Sequence, residues 1–137
     1  MVAYLTWWIG RGFLTGQIKS RADFDDDDWR KDNPKFSDEN FPKNIELVHA
    51  LQRIAERKGC TSGQISLVWL LAQDQLVIPI PGTKKEKYYN ENMGALDIKL
   101  TKEELEEIRR EIEKVEIIGH RYSEANRGNL YVDTVPL

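Results

Sequence analysis

The sequence is poor in the residue types that build the most recognisable sites. Its 137 residues contain one cysteine, Cys60, and two histidines, His49 and His120. A single cysteine excludes an internal disulfide framework, and without a second cysteine or a histidine cluster at ligand spacing the sequence does not indicate a zinc site. A reducing, cytoplasmic compartment fits this cysteine usage best.

The sequence also lacks a surplus of either charge and a long hydrophobic run. With 20 basic and 23 acidic residues the net charge is −3, which favours neither a nucleic-acid surface nor a polybasic membrane patch. The apolar positions from Val2 to Ile9 end at Gly10, far short of the roughly 20 residues of a membrane span. No basic start and small-residue cleavage site mark a signal peptide. We therefore expect one globular domain, with neither nucleic acid nor a membrane as a partner.

The most informative stretch predicts a strand that leads into a helix through a phosphate-binding turn. Leu76–Ile80 is apolar and rich in β-branched residues, and Gly82 then lets the backbone approach a ligand closely. Thr83 can cap a helix or bind an anion, and Lys84 and Lys85 place positive charge at the positive end of the helix dipole. Neither a P-loop nor a Gly-x-Gly-x-x-Gly motif is present, so an ordinary strand, turn and helix stays open as the alternative.

The first 40 residues predict a strand followed by loops. Met1–Ile9 is β-rich, and Gly10–Gly16 holds three glycines, the density typical of a loop that folds closely around a ligand or another strand. Lys19–Asn40 has few apolar residues and predicts a long surface loop with at most a short helix. Such a loop is either a lid or a solvated connection.

Helical periods and capping signals predict the remaining elements. A helix begins near Pro42 and stops at Gly59, and two more begin at the capping boxes of Thr61 and Thr101. A further helix from Lys85 to Gly94 follows the predicted strand, and the tail from residue 121 has no sustained period. The expected inward stripes are Ile45, Val48, Leu51 or Gln52 and Ala55; Ile65, Val68, Leu71 and Ala72; and Leu105, Ile108, Ile112 and Val115. This alternation favours an α/β architecture with parallel strands.

Several short motifs follow one another in order along nearly the whole chain. They are Val2-Ala3-Tyr4, Gly10-Arg11-Gly12-Phe13-Leu14-Thr15-Gly16, Pro34-Lys35-Phe36, Glu39-Asn40-Phe41, Ala55-Glu56, Trp69-Leu70-Leu71-Ala72-Gln73, Ile78-Pro79-Ile80-Pro81-Gly82-Thr83-Lys84 and Glu91-Asn92. Together they resemble the C-terminal part of an aldo-keto reductase, and within that superfamily the fungal and plant members similar to pyridoxal reductase. The resemblance implies that residues 1–137 are a truncated member, with the last two strand–helix units of a TIM (β/α)8 barrel and a C-terminal extension.

The resemblance also implies NADPH as the cofactor, bound in an extended form. By similarity, Tyr4 stacks on the nicotinamide ring. The residues implied at the pyrophosphate are Gly10, Arg11, Gly12, Thr15 and Gly16. The residues implied at the 2′-phosphate are Gly82, Thr83, Lys84 and Lys85, and those at the adenine are Tyr88, Glu91 and Asn92. Between Tyr4 and Gly10 the chain is two residues longer than is usual in the family and carries Trp7 and Trp8.

The implied reaction is the reduction of an aldehyde or ketone to an alcohol by hydride transfer. The family's catalytic Asp, Tyr, Lys and His lie on earlier strands, so no catalytic residue is assigned, and the chain alone is expected to be inactive. We expect His49 and His120 to be structural rather than catalytic. The alternative is a non-catalytic nucleotide-binding or interaction protein that pairs with another chain or self-associates through uncovered barrel edges.

Overall fold

The computed structural model describes residues 3–5 and 10–119 of the protein. Within these ranges the strands are β1 (Ala3–Leu5) and β2 (Val77–Pro79). The helices are α1 (Phe41–Lys58), α2 (Ser62–Leu71), α3 (Glu86–Gly94) and α4 (Lys102–Lys114). Short 3₁₀ helices cover Gly10–Thr15, Arg21–Asp23, Trp29–Asp32, Pro34–Phe36 and Ala95–Asp97. The predicted irregular tail from residue 121 lies outside the described residues.

The two strands form a parallel pair, which confirms the predicted direction of pairing. Tyr4 lies opposite Ile78, between the pairs Ala3 with Val77 and Leu5 with Pro79. Strand β2 is shorter than the predicted Leu76–Ile80, because proline has no N–H group and Pro79 cannot continue the hydrogen-bonded ladder. In a parallel pair both carboxyl ends lie at the same edge of the sheet, so β1 and β2 end at one edge.

The prediction of a glycine loop followed by a long surface loop with at most a short helix is wrong. Gly10–Thr15 forms a 3₁₀ helix, and the segment before α1 contains three more of these short helices. The reason is aromatic packing. Phe24 and Phe36 are buried, and their rings meet edge to face at a centroid distance of 5.3 Å. Phe13 packs in the same way against Phe36 and Phe41, at 5.7 and 5.8 Å. These phenylalanine contacts hold the segment against α1.

Helix α1 is buried on two sides and is the centre of the molecule. Its predicted stripe is confirmed, with Leu51 rather than Gln52 in the core. One side of α1 forms a hydrophobic cluster with the phenylalanine-containing segment that precedes it. The other side of α1 packs against α2 and α4. The first cluster contains Phe13, Ile18, Phe24, Phe36, Phe41, Ile45 and Val48. The second contains Leu47, Leu51, Ile54, Ala55, Ile65 and Ile108. As predicted, α1 ends at Gly59, whose φ of +70° is the left-handed conformation typical of a helix end.

A buried asparagine ties α1 to the chain on both of its sides. Asn44 is only 1% exposed. Its amide nitrogen donates to the carbonyl oxygens of Lys35 and Ile118, at 3.0 and 2.9 Å, and its oxygen accepts the Ile118 N–H at 2.8 Å. Because a buried amide is costly unless it is hydrogen-bonded, these bonds determine where the segment after α4 meets α1.

The predicted stripe of α2 is only partly confirmed. Ile65 and Val68 are buried, whereas Leu71 and Ala72 are exposed at the end of the helix. Leu67 joins Val68 and Ala95 in a cluster on the side away from α1. Since α2 is covered on two sides, its apolar residues do not follow the single stripe that a half-exposed helix would show.

Helix α4 packs against α1 through apolar residues and a row of ion pairs. The capping box of Thr101 and Glu104 is confirmed, and Ile108 is buried, with Leu105, Ile112 and Val115 partly buried. Lys58 donates to both carboxylate oxygens of Glu104, at 2.8 and 2.7 Å. This hydrogen bond from Lys58 holds the pKa of Glu104 below its ordinary value, with further help from the Thr101 backbone N–H.

We expect the substitution Glu104→Gln to lower stability at neutral pH and to have little effect in acid. A glutamine keeps an oxygen for the Thr101 N–H but loses the charge that pairs with Lys58. Because the folded-state pKa is depressed, the stabilisation is complete above the unfolded-state pKa and is lost as the pH falls through the folded-state value. The expected loss at pH 7 is about 0.5–1 kcal/mol of unfolding free energy, measured by urea denaturation.

The control for this measurement is Glu106→Gln, which changes an exposed carboxylate on the same helix. It should be close to neutral at both pH 7 and pH 3. An equal loss for Glu104→Gln at pH 7 and pH 3 would contradict the ion-pair explanation.

Candidate functional site

Two of the predicted ligand-binding segments follow strands that end at the same edge of the sheet. Gly10–Thr15 begins five positions after the end of β1, and the turn Gly82–Lys85 begins three positions after the end of β2. Ligands of parallel α/β structures commonly bind at the carboxyl ends of the strands, where such segments meet. The backbone pairing of Tyr4 with Ile78 places Tyr4 near this edge. The side chains of Tyr4 and Arg11 lie outside the described part of the structure.

The glycine-rich segment is closed by its own hydrogen bonds. The Thr15 hydroxyl donates to the Gly12 carbonyl oxygen and accepts the Gln17 N–H at 3.3 Å. Gly12 and Gly16 have φ values of +90° and +70°, a conformation that other residues rarely adopt. The two glycines therefore permit the tight path of this segment past α1.

The turn Gly82–Lys85 is exposed and open to a ligand. A Cβ atom built on Gly82 would meet nothing within 4 Å. Thr83 accepts the Lys85 N–H at 3.1 Å, which orders the residues just before α3. Lys84 and Lys85 are both exposed. The turn thus combines two ammonium groups with the positive end of a nine-residue helix, an arrangement that suits a phosphate group.

Helix α3 contacts both the glycine-rich segment and the start of α2. The Tyr88 hydroxyl donates to the side-chain oxygen of Gln17 at 3.1 Å, and the Lys85 ammonium lies 5.8 Å from the Tyr88 ring centroid. The Thr61 hydroxyl donates to Glu91 Oε1 at 2.7 Å, and Gln64 Nε2 donates to the Glu91 carbonyl oxygen at 2.8 Å. Tyr88, Glu91 and Asn92 are partly buried.

The structure therefore joins two of the predicted residues of α3, Tyr88 and Glu91, to three side chains that the sequence alone did not indicate. These are Gln17, Thr61 and Gln64. The Thr-x-x-Gln spacing predicted only that a helix starts at Thr61. Nothing in the local sequence indicated that the same two side chains also reach Glu91, because that contact depends on how α2 and α3 pack.

The reactive side chains of the described residues lie apart from this arrangement. His49 is an exposed residue of α1. Burial raises the pKa of the Cys60 thiol, so this cysteine is a poor nucleophile near neutral pH. His120 lies outside the described residues. Within the described ranges, no group of three or more His, Cys, Asp or Glu residues could hold a metal ion. None of the helices described here is long and apolar enough to cross a membrane.

Comparison with known proteins gives matches over most of the chain. Residues 3–113 match the model of the aldo/keto reductase family. The aldo-keto reductase yakc [NADP(+)] of Schizosaccharomyces pombe is 46% identical over 129 residues, which are 94% of this chain and 38% of that protein. Aldo-keto reductase str7 of Strobilurus tenacellus is 48% identical over 129 residues, which are also 94% of this chain and 38% of that protein. The chain therefore spans 38% of the length of each of these relatives.

A solved structure has a similar fold. It is the glycerol dehydrogenase AKR11B4 from Gluconobacter oxydans, which matches with a TM-score of 0.74 and 25% sequence identity. The match covers 87% of this chain and 36% of that one.

We expect Gly16→Ala to destabilise the protein more than Gly59→Ala. Both glycines have a φ of +70°, so the backbone penalty, roughly 1–2 kcal/mol, applies to each substitution. The two sites differ in space. A Cβ atom at Gly16 would lie 2.1 Å from Gln52 Nε2 and 3.0 Å from Gln52 Cδ, whereas one at Gly59 would meet nothing within 4 Å. The Gln52 side chain must therefore move, and because its end is flexible the additional loss at Gly16 is small. Urea denaturation of the two variants measures the difference.

The double variant Gly16→Ala/Gln52→Ala separates the steric effect from the backbone effect. The effect of Gly16→Ala in the absence of the Gln52 amide is the unfolding free energy of the double variant compared with that of Gln52→Ala alone. This loss should be close to the loss that Gly59→Ala causes in the unmodified protein. Equal losses for the two glycine variants would contradict the close approach of Gln52.

Proposed function

Because this chain belongs to the aldo/keto reductase family, we propose that it is the C-terminal part of an NADPH-dependent reductase that converts aldehydes or ketones to alcohols. Residues 1–137 contribute the last two strand–helix units of a TIM barrel and a C-terminal extension. The substrate is a small carbonyl compound, and the compartment is cytoplasmic. The nearer resemblance to pyridoxal-reductase-like members remains a prediction.

The observation that best supports this proposal is the meeting of the predicted cofactor segments on one side of the sheet. Strands β1 and β2 end at the same edge of the sheet, and the Tyr88 hydroxyl bonds to Gln17 just beyond the glycine-rich segment. The two bonded residues are 71 positions apart in the sequence, and their contact supports the proposed binding of one dinucleotide by both segments.

The turn before α3 is the proposed site of the 2′-phosphate. Lys84 and Lys85 are exposed and supply charge-assisted hydrogen bonds, while the open space at Gly82 lets the backbone N–H groups approach the anion. This charge favours NADPH over NADH, since only NADPH carries a phosphate on the adenosine ribose. Tyr88, Glu91 and Asn92, on the face of α3, are the proposed contacts of the adenine.

The remaining cofactor contacts come from the segment after β1. Gly10, Arg11, Gly12, Thr15 and Gly16 are the proposed residues at the pyrophosphate, and Tyr4 is proposed to stack on the nicotinamide. When bound, the cofactor supplies a hydride for a carbonyl carbon. The chain itself orients the adenosine end of the cofactor, and no general acid is assigned among its residues. We therefore propose that the 137-residue chain alone does not turn over a carbonyl substrate.

The test is titration of the purified chain with NADPH and NADH, followed by tryptophan fluorescence. We expect saturable binding with a preference for NADPH. In the variant Lys84→Ala/Lys85→Ala, affinity for NADPH should fall by about 10- to 100-fold, because two charge-assisted bonds are lost, while affinity for NADH changes little.

The matched control is Lys99→Ala/Lys102→Ala, which removes the same charge from two exposed positions outside the turn. It should leave the preference for NADPH intact. If Lys84→Ala/Lys85→Ala lowers the affinity for NADPH and for NADH by the same factor, the assignment of the turn to the 2′-phosphate is refuted. Steady oxidation of NADPH by the purified chain in the presence of an aldehyde would refute the proposed lack of turnover.

A second candidate function rests on the apolar residues that strand β2 and its flanks expose. Leu76, Ile78 and Ile80 lie two residues apart and are 47%, 42% and 43% exposed. Ile78 lies in β2, Leu76 lies in the turn directly before it and Ile80 directly follows it, and we call these three exposed residues the β2 row. This row favours a non-catalytic nucleotide-binding or interaction protein that pairs with another chain, including a second copy of itself.

Sedimentation velocity over a range of protein concentrations tests the second candidate. Self-association through the β2 row predicts a concentration-dependent dimer that Ile78→Lys disrupts. Met93→Lys is the matched control, because Met93 is a similarly exposed apolar residue on α3. A monomer at every concentration, or equal effects of the two variants, would count against self-association through this row.

A further inference from the structure

The capping box that opens α2 makes hydrogen bonds in two directions. Inside the box, the Thr61 N–H donates to Gln64 Oε1 and the Gln64 N–H donates to Thr61 Oγ1, both at 3.1 Å. Outside the box, the Thr61 hydroxyl donates to Glu91 Oε1 at 2.7 Å and Gln64 Nε2 donates to the Glu91 carbonyl oxygen at 2.8 Å. Thr61 therefore uses its single hydroxyl both to start α2 and to bind the Glu91 carboxylate, whereas Gln64 uses its side-chain oxygen to start α2 and its nitrogen to bind the Glu91 backbone.

The chemistry of these side chains allows both uses at once. A hydroxyl group has one hydrogen to donate and lone pairs to accept, and an amide group has a carbonyl oxygen and an NH₂ group. The capping box of α4 shows the contrast. There Glu104 occupies the position of Gln64, and its carboxylate accepts from both the Thr101 N–H and Lys58. A carboxylate at position 64 would complete the box but would have no hydrogen to donate to Glu91.

Gly94 leaves room for the contact between α2 and α3. A Cβ atom on Gly94 would lie 2.8 Å from Gln64 Nε2, which is closer than real Cβ contacts come, so the Gln64 side chain would have to move. A Cβ atom on Gly63 would lie 3.5 Å from Glu91 Oε1, an ordinary van der Waals contact that needs no glycine. The absence of a side chain at Gly94 therefore lets Gln64 reach Glu91.

The bond from Thr61 leaves Glu91 able to accept from a ligand. An ionised carboxylate only accepts hydrogen bonds, and its two oxygens offer about four acceptor positions. Adenine presents an amino group at carbon 6, which can donate to such an oxygen. Hypoxanthine presents a carbonyl oxygen at the same place, and two acceptors that face each other repel. A carboxylate that is held in one position therefore discriminates between the two bases.

We propose that Thr61 and Gln64 are positioning residues that hold Glu91 for recognition of the adenine amino group. This inference rests on the proposed function, in which Glu91 contacts the adenine of the cofactor. It adds base selectivity to the site, and it assigns that selectivity to the helix start of α2 as well as to α3.

The experiment compares the binding of adenosine 2′,5′-bisphosphate and inosine 2′,5′-bisphosphate to the full chain by isothermal titration calorimetry. The two probes share both phosphates and differ at carbon 6 of the base. We expect the unmodified chain to prefer the adenine probe by about tenfold, the size of effect expected when a site built for a donor meets an acceptor. In Thr61→Val the preference should fall to about twofold or less, and Thr61→Ser should restore it.

Two further variants exclude a purely structural effect. Thr101→Val removes the matching cap of α4, which does not contact Glu91, and should keep the full preference. Gln64→Glu keeps the acceptor for the Thr61 N–H but removes the donor to Glu91, and should lose preference even if Thr61→Val fails to fold. An unchanged preference in Gln64→Glu and in folded Thr61→Val would overturn the positioning role.

The variant Glu91→Ala, which removes every acceptor of this side chain, distinguishes failure of this inference from failure of the proposed function. If Glu91→Ala abolishes the preference while the Thr61 and Gln64 variants keep it, Glu91 contacts the base without their help and only the positioning role is wrong. If Glu91→Ala leaves the preference unchanged, the proposed contact of Glu91 with adenine is wrong. The absence of saturable binding of either probe to the unmodified chain would refute both.

Discussion

Burial of helix α1 on two sides is the constraint on which the rest of the described structure depends. One side of α1 needs a cover that the strands and helices do not supply, and the phenylalanines of the preceding segment provide it. The other side is covered by α2 and α4. At about 25 cal/mol per Å² of buried apolar surface, these two clusters dominate the favourable free energy of this arrangement. The ion pairs between α1 and α4 add a smaller, pH-dependent contribution.

The position of α1 also determines the geometry of the candidate site. The glycine-rich segment follows β1 and then packs against α1, where Gly16 lies beside Gln52. Helix α2 packs against the other side of α1 and presents its first turn to α3. At the candidate site three separate parts of the chain therefore meet: the residue after the glycine-rich segment, the start of α2 and helix α3. Each part is positioned by packing that lies outside the site.

Two capping boxes in this chain illustrate how one local motif can serve different purposes. Both begin a helix with a threonine and the residue three positions later. In α4 that later residue is Glu104, whose charge pairs with Lys58 of α1. In α2 it is Gln64, whose amide group reaches Glu91 of α3. Because a carboxylate only accepts hydrogen bonds, Glu104 pairs with a lysine and stabilises the packing of α4 on α1. Because an amide can also donate, Gln64 binds the Glu91 carbonyl oxygen at the candidate site.

The sequence by itself determined the features that depend on neighbouring residues: the helix starts at Thr61 and Thr101, the helix end at Gly59, and the turn before α3. It also indicated the family, because the ordered motifs extend along most of the chain. Only the tertiary structure decided that the segment before α1 is folded, that α2 is covered on two sides, and that Gln17, Thr61 and Gln64 contact α3. These contacts join residues distant in the chain, and a local period or cap signal carries no information about them.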